Sequence, residues 1–167
     1  MDYVVFMLSF AQVFGATVGA FSSIWSEISY VRAMKDGILD AAEREHMHAL
    51  AQGLRFGMTL LLAASFGLVI TAYLNAVAVQ PALTASYWTL VALALLITAV
   101  SWALSRHRIA FPLGSAAVFT GWWFLVYLTI GLLPQLSFGA AVAFFVVATG
   151  VFYGILQYLR FLALRKK

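Results

Sequence analysis

Five long apolar stretches dominate this sequence, and each is long enough to cross a bilayer. They run from Tyr3 to about Met34, Met47 to Leu74, Thr84 to Leu104, Ile109 to Leu133 and Phe138 to about Leu164. A spanning helix needs about 20 apolar residues for a hydrocarbon core of roughly 30 Å. Composition agrees, since 64% of residues are apolar, 10% are charged and the mean hydropathy is +0.97. Soluble domains run near ~45–50% apolar and ~25% charged, so an ordinary water-soluble globule is excluded. A disordered chain, marked by low hydrophobicity and high net charge, is excluded as well. The expected architecture is an all-α integral membrane protein, a five-transmembrane-helix bundle in a single transmembrane domain over 1–167. Its helices are expected at about 3–36, 40–74, 84–105, 109–133 and 138–164.

The charges sort by connection. Arg32, Lys35, Arg44 and Arg55 fall around the first connection, Arg106 and Arg108 in the third, and Arg160, Arg165, Lys166 and Lys167 at the end. The second and fourth connections carry no Lys or Arg. With five crossings all ten cations lie on one side, and the positive-inside rule then predicts an external amino terminus and a cytoplasmic carboxyl terminus. The expected location is the cytoplasmic (inner) membrane of a prokaryote. The basic residues do orientation work at membrane ends, which disposes of nucleic acid as a partner despite a net charge of +4. Met1-Asp2-Tyr3 is acidic where a cleavable signal would be basic, so the first apolar stretch is expected to be a retained helix.

The first two helices are expected to run roughly 50 Å each at about 1.5 Å per residue and to project on the cytoplasmic side as a helical hairpin. Gly37 suits the left-handed position after a helix end, and Asp40 with Glu43 resembles a capping box. The same segment has the Gly and Glu of the second half of an EF-hand loop. Its first and third positions would be Arg32 and Met34, which supply no carboxylate, so calcium is not expected there.

Several constellations carry candidate chemistry. Helix 1 has a seam of small and polar residues (Ser9, Gln12, Ala16, Gly19, Ser23 and Ser26), with Phe6, Phe10, Phe14 and Phe21 off it and Gly15 and Gly19 forming a G-x-x-x-G pair. Such a face packs helices closely in lipid; alternatively it is one wall of a polar path with Gln12 near the midplane. Glu27 and Arg55 are expected at equal depth near the inner boundary, as an ion pair joining the first two helices or as part of a gate. Trp122, Trp123 and Tyr127 lie well inside helix 4, away from the interfaces that tryptophan prefers. They either pack, with their indole N–H groups bonded to neighbouring helices, or wall a pocket for a flat apolar ligand such as a quinone, pigment or lipid. Helix 5 offers a second small face at Ala140, Ala143, Gly150, Gly154 and Gln157, suited to helix 1 or to a partner subunit.

For metals the signal is thin. There is no cysteine, which removes disulfides, thiolate sites and Fe–S clusters. Glu43-x-x-His46 and Glu45-x-x-His48 overlap on one helix and point about 200° apart, so they do not feed one site. His48 and His107 are the candidate axial ligands for haem, although each stands beside charged residues where a solvated histidine needs no ligand. Serine-hydrolase, zinc-protease, phosphate-loop and dinucleotide motifs are absent, as are paired intramembrane aspartates and a lysine for a retinal Schiff base. An enzyme is the least favoured class.

The Ala/Gly-rich first helix, the segment Arg32-Ala33-Met34-Lys35-Asp36-Gly37-Ile38-Leu39-Asp40-Ala41-Ala42-Glu43 and the second apolar helix together resemble a group of small bacterial and archaeal membrane proteins near the copper-resistance D-like superfamily, over roughly residues 10–75. The resemblance implies a compact helical bundle, with copper or haem handling in some members. The early-helix histidines such handling would use are replaced here by Gln12 and Ser23, and no ligand is carried over. Three functions remain in view. The first is transport or permeation of a small solute or ion by an oligomer, along Gln12, Ser23, Glu27 and Arg55. The second is an accessory subunit bound to other membrane proteins, and the third a haem- or quinone-associated redox component.

Overall fold

The computed structural model describes residues 2–36, 41–78, 80–106, 108–132 and 136–165, with the side chains of 2, 33–50 and 164 outside that description. It is all-helical, without strands among the described residues, and its five helices are each long and apolar enough to span a membrane. They are α1 (Asp2–Asp36), α2 (Ala41–Leu74), α3 (Ala85–Ser105), α4 (Phe111–Ile130) and α5 (Phe138–Arg165). A short 3-10 turn, Pro81–Leu83, leads into α3, where the Thr84 hydroxyl caps the helix by accepting from the Tyr87 N–H. The turn joining α1 to α2, with Gly37 and Asp40 of the expected caps, lies outside the described residues.

One expected boundary is corrected. Helix α4 stops at Ile130 and not near Leu133, because Gly131 takes a left-handed conformation (φ 74°) in which its N–H and that of Leu132 close onto the last carbonyls. At its other end α4 begins at Phe111, with Pro112 in the first turn, where a missing N–H costs no hydrogen bond.

Neighbouring helices run antiparallel, as their contacts show. From α1 to α2, Gln12 meets Ser65, Gly15 meets Gly57 and Leu61, and Ser22 meets Gly53. From α1 to α4, Gly19 meets Trp122, Phe21 meets Trp123 and Tyr30 meets Phe111. Rising numbers on one helix meet falling numbers on the other. The same holds for α3 with α4 (Ile97 to Gly121, Leu104 to Gly114) and α4 with α5 (Phe124 to Phe144, Phe119 to Phe152). Helices α1 and α5, by contrast, meet near their carboxyl ends.

Helix α4 is the centre of the bundle, with 56% of its apolar window buried against 11% for α5. It packs on α1, α3 and α5, while α2 lies mainly on α1. Small residues make this possible. Gly15 and Gly57 face each other so closely that a Cβ on either would come within 2.7 Å of the other's carbonyl oxygen. Gly19 receives the Trp122 ring, which a Cβ there would meet at 2.1 Å. The two glycines of the G-x-x-x-G pair thus serve different neighbours, α2 and α4. Phe6, Phe10, Phe14 and Phe21 are exposed on the opposite face of α1, suited to lipid.

Candidate functional site

Polar groups gather at two places, one toward each end of the bundle. At the end where α1 and α3 begin and α2 and α4 finish lies a cleft of about 520 Å³. Gln12 and Ser65 line it, joined by a 2.8 Å hydrogen bond from Gln12 Nε2 to Ser65 Oγ. Thr71 and Asn75 of α2, Tyr87 of α3 and Thr129 of α4 add further hydroxyl and amide groups. The 3-10 turn contributes Pro81, so the second connection, a neutral loop by sequence, forms one rim.

The opposite end holds a buried charge cluster. Arg160 of α5 donates from Nη2 to Glu27 Oε2 of α1 at 2.6 Å and lies 2.7 Å from Ser115 Oγ of α4. Glu27 and Arg160 are 8% and 7% exposed, low enough that neither charge could stand without the other. The guanidinium carbon sits 5.3 Å and 5.5 Å from the ring centroids of Tyr30 and Phe111, which stack on each other at 3.9 Å. Ion pair and cation–π attraction together hold the arginine in an apolar setting. Its Nε and Nη1 are buried with no hydrogen-bond partner.

This corrects the expected Glu27–Arg55 pairing. Arg55 is exposed on α2, and Glu27 is paired with Arg160 among the described residues. Arg55 is not level with Glu27 either: the register that sets Ser22 beside Gly53 and Gln12 beside Ser65 brings it level with about residue 21 of α1, roughly 9 Å from Glu27 at about 1.5 Å per residue. Arg160 carried a usable signal, since it stands alone in the apolar run from Tyr158 to Leu162, where a charge normally faces the interior of a bundle.

Between the two polar places the seam of α1 is closed. Ala16 and Ala20 are fully buried, and Ser23 is buried with its hydroxyl donating to the Ala20 carbonyl at 2.7 Å. The Trp122 ring fills the notch at Gly19. Gln12, Ser23 and Glu27 therefore share one face of α1, but packed side chains separate them.

The aromatic candidates divide. Trp122 is 1% exposed and wedged against α1, whereas Trp123 and Tyr127 line a separate gap of about 180 Å³ with Phe119, Phe144 and Phe152 between α4 and α5. The indole N–H groups of Trp122 and Trp123 are buried without partners, contrary to the expected bonds to neighbouring helices. The Trp122 ring packs against Gly19 through its six-membered edge. His107 and the His48 side chain lie outside the described residues, and no group of three or more metal-binding side chains occurs among the described ones. On α5, Gly150 and Gly154 meet nothing within 4 Å, so the small face does not pack on α1.

No family model matches this chain, nor does any curated protein or solved structure.

Proposed function

We propose that this chain is a small transport or permeation protein that passes a small polar solute or ion, working as an oligomer in the cytoplasmic membrane of a prokaryote. The observation that carries this reading is the polar cleft of about 520 Å³ with Gln12 and Ser65 in its wall. It opens on the same α1 face that leads, about 22 Å further on at about 1.5 Å per residue, to the buried Glu27–Arg160 pair. With the amino terminus outside, as the charge distribution supports, the cleft is an external vestibule and the ion pair closes the cytoplasmic end. Passage then requires the Trp122 ring and the Glu27–Arg160 contact to shift. The open glycine face of α5 supports assembly with further copies or with another membrane subunit.

Flux into proteoliposomes tests this, using stopped-flow light scattering for glycerol and urea and entrapped dyes for protons and potassium. Flux above that of protein-free vesicles, lost in Gln12→Leu, is the expected result. Equal rates with and without protein, or flux untouched in both Gln12→Leu and Glu27→Gln, would overturn it.

A second reading is favoured by the gap of about 180 Å³ between α4 and α5, walled by Phe119, Trp123, Tyr127, Phe144 and Phe152, an aromatic space of the kind a quinone ring takes. Quenching of tryptophan fluorescence by a short-chain quinone, abolished in Trp123→Phe, would support that role in a redox assembly. Unchanged fluorescence would remove it.

A further inference from the structure

The hydrogen-bonding groups of the vestibule are committed in a way that sets the chemistry of its occupant. Ser65 gives its hydroxyl hydrogen to the Leu61 carbonyl at 2.6 Å, so toward Gln12 it acts as acceptor. That fixes the carboxamide: Nε2 faces Ser65 and Oε1 is left uncommitted. Asn75 repeats the pattern, spending Nδ2 on the Thr71 carbonyl at 2.7 Å and leaving Oδ1. Thr71, Thr84 and Thr129 give their hydroxyl hydrogens to the carbonyls of Gly67, Pro81 and Val126. Gln80 spends Nε2 on the carbonyls of Ala72 and Val77, two residues of the cleft wall.

What these residues have left is mainly lone pairs. The uncommitted side-chain donors are one amide hydrogen each on Gln12 and Asn75 and the hydroxyls of Ser86 and Tyr87, beside the Ser86 backbone N–H in the first turn of α3. None of the described residues lining the cleft is charged. Of the four helices that line the cleft two begin there and two end, so their terminal partial charges largely offset; α5 also begins at this end of the bundle but gives the lining no residue. The side chains decide the preference.

We infer that the vestibule binds a small primary-ammonium solute. An ammonium head brings three N–H donors and no acceptor, matching a wall of uncommitted oxygens. A carboxylate brings only acceptors, and a neutral amide brings one beside its donors, so each draws on the few donors left and leaves more of the wall's lone pairs unmet. The inference names the substrate class for the transport reading and rests on it in taking the cleft as the place where solute enters.

The test is binding to the full chain in phosphatidylcholine nanodiscs, followed by saturation-transfer NMR with methylammonium, acetamide and acetate. Methylammonium is expected to bind tightest, and Gln12→Leu to weaken it about tenfold, the worth of a hydrogen bond to a charged group. Ser86 is exposed and its hydroxyl has no partner among the described residues, so changes there leave the fold alone. Ser86→Lys is expected to weaken methylammonium several-fold and Ser86→Asp to tighten it, with acetamide unaffected. Acetate or acetamide binding as tightly as methylammonium, or methylammonium binding unmoved by both Gln12→Leu and Ser86→Lys, would overturn the inference. Methylammonium bound but not carried into proteoliposomes would sustain it and remove transport. Glycerol flux without methylammonium binding would do the reverse.

Discussion

Glycine takes three separate roles in this chain, and only its surroundings tell them apart. At Gly57 an added Cβ would meet the Gly15 carbonyl oxygen at 2.7 Å, and backbone cannot rotate away as a side chain can. At Gly131 the space is open but the backbone is left-handed, so the requirement is conformational. At Gly150 neither applies. Gly57→Ala is therefore expected to lower stability by about 1–3 kcal/mol, as overpacking does. Gly150→Ala is expected to be neutral or slightly stabilising through helix propensity. Thermal unfolding of both variants in detergent checks the contrast, and equal transitions would contradict it. From sequence the Gly15–Gly19 spacing announced close packing, but it could not say that one glycine serves α2 and the other α4.

Among the elements, α4 is the one the others are arranged around, and its end of the charge cluster shows how. Glu27, Ser115 and Arg160 come from α1, α4 and α5, so one guanidinium ties the first helix to the last two. Removing one member of a buried pair leaves an uncompensated charge, at about 3–5 kcal/mol, whereas replacing both by apolar groups is often neutral. Glu27→Leu and Arg160→Met are each expected to be strongly destabilised, and the double variant to regain most of the loss. A double variant as unstable as the single ones, by the same unfolding measurement, would show that the pair is not coupled. The sequence flagged Glu27 as a residue in need of a partner. Choosing its cation required the register of the helices against one another and the rotation of each about its axis, which packing sets and periodicity leaves open.

For the whole molecule, the distribution of cations makes a statement that can be checked residue by residue. The chain has no native cysteine, so a single introduced thiol reports its side cleanly. With Ala78→Cys in the second connection and Arg108→Cys in the third, a membrane-impermeant maleimide added to intact cells is expected to label the first and not the second. Labelling of Arg108→Cys alone would invert the orientation and place the Glu27–Arg160 pair, and not the cleft, toward the exterior.

The number of helices, their approximate limits and the placing of the α1 phenylalanines off its polar seam were legible in the sequence, because a bilayer imposes a length and an apolar content that a local window reveals and helical periodicity sorts the faces. The end of α4 at Gly131, the partner of Glu27, the separation of Trp122 from Trp123 and the cleft beside Gln12 were decided by tertiary structure. Each depends on which face of one helix meets which face of another. In a chain apolar nearly all round its helices, that choice is made by the fit of small residues to rings and backbone, and hydropathy alone does not carry it.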